Sequence, residues 1–277
     1  MAGPDEGVRG GTAPAAGRPM LSEADLERRR GRPWTLRVVK AFDINSHMRR
    51  VQLTGDNLEE FTPKPGQEIV LQIPQPGGAP ARRHYTIRRY DTASKLIDVD
   101  FVLHGHRTPG VSWSLDAKPG DVIDIRGPRG RIALNPDADW HLFLGDETCL
   151  PAIFALLEAL PRGARASAFI EIGGEEDKQA FVTQADVKLQ WLLRNGAAPG
   201  PSDLLSKTLA AFTFPPGKGH AIVIGETSNV RNQRHALLDR GFDRSHARHQ
   251  YGGGCRDQRH YQRDGRHHQS DGQRLAT

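Results

Sequence analysis

The feature that most constrains the fold is a change of rhythm around residue 137. Before it, short β-like runs are separated by Gly, Pro, Asn and Asp: Trp34–Phe42, Met48–Leu53, Glu68–Ile73, His84–Arg89, Ile97–Leu103 and Val122–Ile125. The run Ile97-Asp98-Val99-Asp100-Phe101-Val102-Leu103 alternates, which puts Ile97, Val99, Phe101 and Leu103 on one face of a strand. Six such runs in about 100 residues predict a small antiparallel barrel or sandwich. After the change, strands over Trp140–Leu144, Ala166–Ile172 and His220–Ile224 alternate with helices over Pro151–Leu160, Ser202–Phe212 and Val230–Leu238. That alternation needs crossover connections, and so a parallel sheet. The expected body is a β domain over 34–136 and an α/β domain over 137–243, with any shared ligand in the cleft between them.

The two flanks read differently. Residues 1–33 are rich in Gly, Pro and Ala and are expected to form a flexible extension. One short helix is expected there, Ser22–Arg30, with Ser22 as its cap and Asp25 in the N3 place. Residues 244–277 contain one aliphatic side chain larger than alanine, Leu275, and no period, so disorder is expected. This tail also holds the charge. The chain is formally +5, yet seven Arg and three Asp lie in the tail, which leaves 31 Lys plus Arg against 30 Asp plus Glu in the rest. A near-neutral body does not argue for nucleic acid, and the tail offers only Tyr251 and Tyr261 for stacking. The adjacent His267 and His268 have no scaffold around them, and no metal site is expected.

No apolar run approaches 18 residues, and the first 30 residues lack an apolar signal core. Neither a membrane span nor Sec-type export is expected. Two cysteines, Cys149 and Cys255, make no thiolate cluster for zinc, and a reducing cytoplasm is the default compartment.

Three clusters carry chemistry. The first is Arg83-His84-Tyr85-Thr86 on a strand, where Arg83 and Tyr85 share a face and Thr86 points away. An arginine can neutralise a phosphate, a tyrosine ring can lie on an isoalloxazine, and a threonine hydroxyl or amide can reach flavin N5. The plain alternative is a strand with a surface arginine and a half-buried tyrosine. The second cluster is His104-Gly105 followed by Thr108-Pro109-Gly110-Val111-Ser112-Trp113, a loop leading into a short helix. Free N–H groups at such a helix start suit a pyrophosphate, and the alternative is an ordinary crossover loop. The third is Gly145-Asp146-Glu147-Thr148-Cys149-Leu150-Pro151 at a strand-to-helix junction, where α/β sheets receive ligands. It is neither G-x-G-x-x-G nor a P-loop, and Asp146 and Thr148 equally fit as caps of the helix that Pro151 opens. Gly127-Pro128-Arg129-Gly130 reads as a flexible, cationic turn, and Pro74–Pro80 as a loop.

In order and spacing these clusters resemble the siderophore-interacting protein family, FAD-dependent ferric-siderophore reductases of the ferredoxin-reductase-like superfamily. The resemblance spans Trp34 to Asp243, and it also rests on Ala117-Lys118-Pro119-Gly120-Asp121 and Gly225-Glu226. It implies an antiparallel six-stranded FAD-binding barrel followed by a parallel-sheet α/β domain that admits NAD(P)H. It implies cofactor contacts at Arg83, His84, Tyr85 and Thr86, and at His104, Gly105, Gly110, Val111, Ser112 and Trp113. Asp146, Glu147 and Thr148 would face the nicotinamide side. The implied function is electron transfer from NAD(P)H through flavin to a ferric siderophore in the cytoplasm, with a monomer as the simplest state and no acid–base residue required. Arg49, Arg50, Arg88 and Arg129 are candidates for steering anionic chelates. The alternatives are another electron acceptor, or FAD and chelate binding without turnover. Two departures from the family pattern stand out. Ser112 is displaced by one place, and after Arg244 the expected Gly-Tyr-Trp ending is replaced by Gly/Arg/His/Gln-rich sequence, as an out-of-frame reading would produce.

Overall fold

The computed structural model describes residues 31–103, 105–244 and 257–263. Strands β1 (Pro33–Asn45), β2 (Met48–Gly55), β3 (Glu68–Gln75), β4 (Gly78–Asp91), β5 (Leu96–Val102) and β6 (Val122–Arg129) close into an antiparallel barrel. Their order is β1-β2-β5-β4-β3-β6. Alternation fills it: Leu36, Val51, Ile69, Leu71, Val99 and Phe101 all point into one core. The intervening β5 residues Asp98 and Asp100 are also buried, at 1% and 5% exposed. Arg50 on the neighbouring strand grips Asp100 at 2.6 and 2.8 Å, while Gln52 and Arg89 donate to Asp98 at 2.9 and 3.2 Å. Burial of these carboxylates is tolerated because each is hydrogen-bonded.

Helix α1 (Pro109–Asp116) packs against β2, β3 and β5. Pro109 opens it, and the Thr108 hydroxyl accepts from the Val111 amide at 3.4 Å. Two expectations are corrected here. Gly127-Pro128-Arg129 is no flexible turn but the end of β6, because Glu68 pairs with Arg129 across the ladder. The Pro74–Pro80 loop contracts to a tight hairpin, since the β3–β4 ladder runs out to Gln75 and Gly78.

The second half contains β7 (Trp140–Asp146), α2 (Leu150–Glu158), β8 (Arg165–Ile172), β9 (Asp186–Leu193), α3 (Leu204–Ala211), β10 (Gly219–Gly225) and α4 (Thr227–Asp239). Strands β10, β7, β8 and β9 are neighbours in that order and parallel. Helix α2 is apolar all round, Leu150 to Leu157 being buried, because it lies between the sheet and barrel strand β4. A hydrophilic face would have no water to meet.

Strands β11 (Asp243–Arg244) and β12 (Asp257–Arg263) extend the sheet, with β12 antiparallel to β10 from Gly219↔Arg263 to Gly225↔Asp257. Residues 257–263, within the tail expected to be disordered, run as β12 beside β10. The open edge of β10 offers N–H and C=O groups that any backbone can pair, whatever its side chains. The Ser22–Arg30 helix expectation lies outside the described residues, as does His104. Among the described residues, no helix is long and apolar enough to cross a membrane.

Candidate functional site

Strand β4 divides the first cluster between two faces. Arg83 and Tyr85 lie opposite Leu71 and Ile69, which belong to the barrel core, while His84 and Thr86 lie opposite Val70 and Glu68. The Tyr85 ring rests on Phe101, with centroids 4.1 Å apart, and Phe101 in turn meets Trp113 at 5.6 Å. Burial pushes the Tyr85 phenol up to about 12. Arg83 is half-buried and donates to the Arg82 carbonyl at 2.9 Å, with no ion pair to any described carboxylate. His84 is held on the other face, where its Nδ1 donates to Glu68 Oε1 at 2.8 Å. Thr86 is half-buried beside it.

Tyr85 also meets the second cluster. A Cβ on Gly110 would fall 1.9 Å from the Tyr85 hydroxyl oxygen, so only glycine admits that contact. Ser112 donates its amide to the Thr108 carbonyl at 2.8 Å, and Val111 donates to the Thr108 hydroxyl. The Gly110 amide remains without a hydrogen bond to a described residue. Gly105 sits at φ 73°, in the left-handed region that glycine supplies.

The third cluster stands at the carboxyl edge of the parallel sheet. Asp146 Oδ1 accepts the Thr148 amide at 2.9 Å and the Thr148 hydroxyl, and Asp146 Oδ2 accepts the Glu226 amide at 3.1 Å. Desolvation pushes the Asp146 carboxyl up to about 6 against these bonds. Glu147 is gripped by Arg194 at 2.8 and 2.6 Å, and Arg194 also reaches Glu171 at 3.4 Å. Ser202 donates to Glu171 from the far side. Segment Glu147–Cys149 abuts β5, so this edge meets the barrel near the start of the Gly105 loop.

Comparison with known proteins decides what this arrangement is. Residues 75–132 match the siderophore-interacting FAD-binding domain, and residues 138–250 match the siderophore-interacting protein family. Ferric vibriobactin reductase ViuB of Vibrio cholerae is 32% identical over 219 residues, covering 72% of this chain and 80% of its own. An uncharacterised protein of Mycobacterium tuberculosis is 31% identical over 246 residues, covering 77% and 87%. The crystal structure of a siderophore utilization protein from T. fusca superposes with a TM-score of 0.71 at 32% identity, covering 77% of this chain and 89% of that one.

The chain belongs to the siderophore-interacting protein family.

Its FAD-binding barrel offers a donor set that fits the cofactor. An arginine with no carboxylate partner among the described residues, a helix start whose Gly110 amide bonds no described residue, and a half-buried aromatic ring beside both are what a flavin dinucleotide needs. Arg83, Tyr85, Gly110 and Trp113 are brought together, and His84 is not. Of the four steering candidates, none is an unengaged surface charge. Arg49 bonds Asp43 and the Ser114 carbonyl, Arg50 holds Asp100, Arg88 holds Glu158, and Arg129 faces Glu68. Each found a carboxylate across a strand pair or a domain boundary, which no local pattern announces.

Two cavities are lined by barrel residues. The larger, about 640 Å³, opens between Phe61, Lys64, Tyr90 and Glu158, at the far end of α2 from Asp146, and touches none of the expected cofactor residues. The smaller, about 230 Å³, is lined by Val70, Gln72, Arg82, His84, Arg126 and Arg129. Residues Glu171 and Arg194 were not expected at the sheet edge, whereas Glu226 was expected to end the last strand. The alternation of Val187, Leu189, Trp191 and Leu193, which marks β9, is the signal that leads to Arg194.

Proposed function

We propose that the protein is a cytoplasmic FAD-dependent reductase that carries electrons from NAD(P)H to Fe(III)-siderophores, releasing Fe(II). The observation that carries the reading is Arg83, a cation with no described carboxylate partner, beside a tyrosine that reaches the start of α1. FAD, when bound, supplies the exchange between a two-electron hydride donor and one-electron iron. The chain's own residues bind and orient. Arg83 and the Gly110 amide would hold the pyrophosphate, Tyr85 and Thr86 would border the flavin ring, and Asp146, Glu147 and Thr148 would border the nicotinamide. The small cavity with Arg82, Arg126 and Arg129 suits an anionic chelate. Release follows from ligand hardness: oxygen chelators hold Fe(III) far better than Fe(II).

The test is anaerobic. NADH or NADPH should bleach the yellow protein, and a ferric chelate should restore the colour while a ferrous trap reports Fe(II). Protein that stays colourless after incubation with FAD would sink the proposal.

One observation favours a second reading, FAD and chelate binding without turnover from NAD(P)H. Asp146, Glu147, Glu171 and Glu226 crowd the carboxyl edge of the sheet, where Arg194 is already engaged by two of them. A dinucleotide's phosphates meet a carboxylate-rich edge there. Bleaching by dithionite, with none by either nicotinamide nucleotide, would select this reading.

A further inference from the structure

We propose that His47, Glu176 and Asp177 form a site for a divalent first-row transition-metal ion, placed so that it clamps the barrel to the α/β domain. One donor atom from each of the three lies within 4.8 Å of the others. His47 belongs to the turn between β1 and β2, whereas Glu176 and Asp177 belong to the short 3-10 turn Glu175–Asp177 after β8. Sequence alone does not bring them together, because His47 and Asp177 are 130 positions apart.

The donors are held in place before any ion arrives. The His47 amide donates to Asn45 Oδ1 at 2.9 Å, and its carbonyl accepts the Leu103 amide at 2.8 Å. Asp177 is buried, accepts the Gly174 amide at 3.1 Å, and takes the His47 Nδ1–H at 2.7 Å. Glu176 lies so close over Gly174 that a Cβ there would fall 2.4 Å from its carboxylate. No described cation pairs with Glu176, since neighbouring Lys178 bonds Glu175 at 2.6 Å. Two carboxylates thus share a site with one imidazole, and a cation relieves their repulsion.

The donor set selects the class of ion. One imidazole nitrogen and two carboxylate oxygens suit zinc, cobalt or ferrous iron better than magnesium, which prefers oxygen and water alone. Three protein ligands leave at least one position for water. A metal on His47 Nδ1 takes the place of the hydrogen bond now made to Asp177, and the neutral imidazole then carries its one proton on Nε2. Because ligands come from both domains, the bound ion stabilises the folded protein by mass action.

Metal-depleted, full-length protein titrated with Zn²⁺ by calorimetry tests this, with Co²⁺ absorption as the optical readout. The expected result is an ion bound and a rise in melting temperature. His47→Ala and the surface variant Glu176→Gln should each weaken that binding at least tenfold and abolish the rise, with flavin content unchanged. Binding that persists undiminished in both variants would assign the metal to histidines elsewhere in the chain and overturn the site. Absence of binding to the wild type, or equal affinity for Mg²⁺, would overturn it as well.

Discussion

Arg88 of the barrel holds Glu158 of the α/β domain through two parallel hydrogen bonds of 2.7 and 2.6 Å. The guanidinium side chain is 9% exposed and stands 5.6 Å from the Phe154 ring centroid, so it is fixed by packing as well as charge. The pair joins β4, the strand carrying Arg83 and Tyr85, to α2, the helix that begins just after Asp146–Thr148. It therefore ties the barrel to the end of α2 away from Asp146. A cation expected to steer substrate is instead engaged in an ion pair between the barrel and α2.

Removing one partner leaves the other buried without compensation. Glu158→Gln is expected to cost about 2 kcal/mol, below the value for a fully buried pair because Glu158 is partly exposed. Urea unfolding followed by fluorescence checks it. The double variant Arg88→Met/Glu158→Leu should recover most of the loss, since neither charge then remains to be desolvated. A single-variant loss under about 0.5 kcal/mol would mean that the pair behaves as an exposed one.

Gly110 and Tyr85 are coupled by contact. Gly110→Ala forces the tyrosine hydroxyl away from a Cβ placed 1.9 Å from it, and the ring must leave its place against Phe101. Flavin retained through gel filtration should fall more than tenfold. In the Tyr85→Phe background the same substitution should be milder in its effect on melting temperature, because the clashing oxygen is gone. Equal effects in both backgrounds would show that the clash is relieved elsewhere.

The strands of the barrel were legible because Ile97, Val99 and Phe101, and their counterparts on other strands, face one core at period two. The three candidate clusters stood out for a similar reason: each occupies a short stretch of chain. What bound the elements together was not. Arg88 and Glu158 are 70 positions apart, and Arg194 and Glu147 are 47 apart. Each pair is made by chain topology, and a charged residue looks alike in sequence whether its partner is water or a buried carboxylate. Strand β12 failed for another reason. It is joined to β10 by backbone groups, which every residue but proline carries.

Arg83→Ala should lower FAD retention by at least tenfold while leaving the melting temperature of the flavin-free protein within about 1 °C, because Arg83 has no carboxylate partner among the described residues to lose. Arg83→Lys should restore part of the retention, a point charge being a poorer match to a pyrophosphate than a planar fork. Absorbance of bound flavin per protein and a thermal melt of the flavin-free form give both numbers. Unchanged retention in Arg83→Ala would move the pyrophosphate away from β4.

Two buried groups titrate against each other. His141, beside His220 at 3.3 Å between their Nδ1 atoms, is pushed down to about 4 by burial, whereas Asp146 is pushed up to about 6 by burial. Below pH 6.5 the unfolded chain takes a proton on His141 that the folded protein refuses until about pH 4, so folding is weakened as pH falls across that window. For Asp146 the folded protein binds its proton at about pH 6 and the unfolded chain only near 3.8, so folding is strengthened as pH falls through the same range. The opposing slopes nearly cancel in the wild type. His141→Asn should leave the Asp146 slope alone, so that stability relative to wild type rises on going from pH 6.5 to 4. Asp146→Asn should do the reverse and unfold more readily in acid. Differences of roughly 1–3 kcal/mol across that window are expected from shifts of this size. Chemical unfolding at four or five pH values reads them, and parallel curves for wild type and both variants would show that neither group is perturbed by burial.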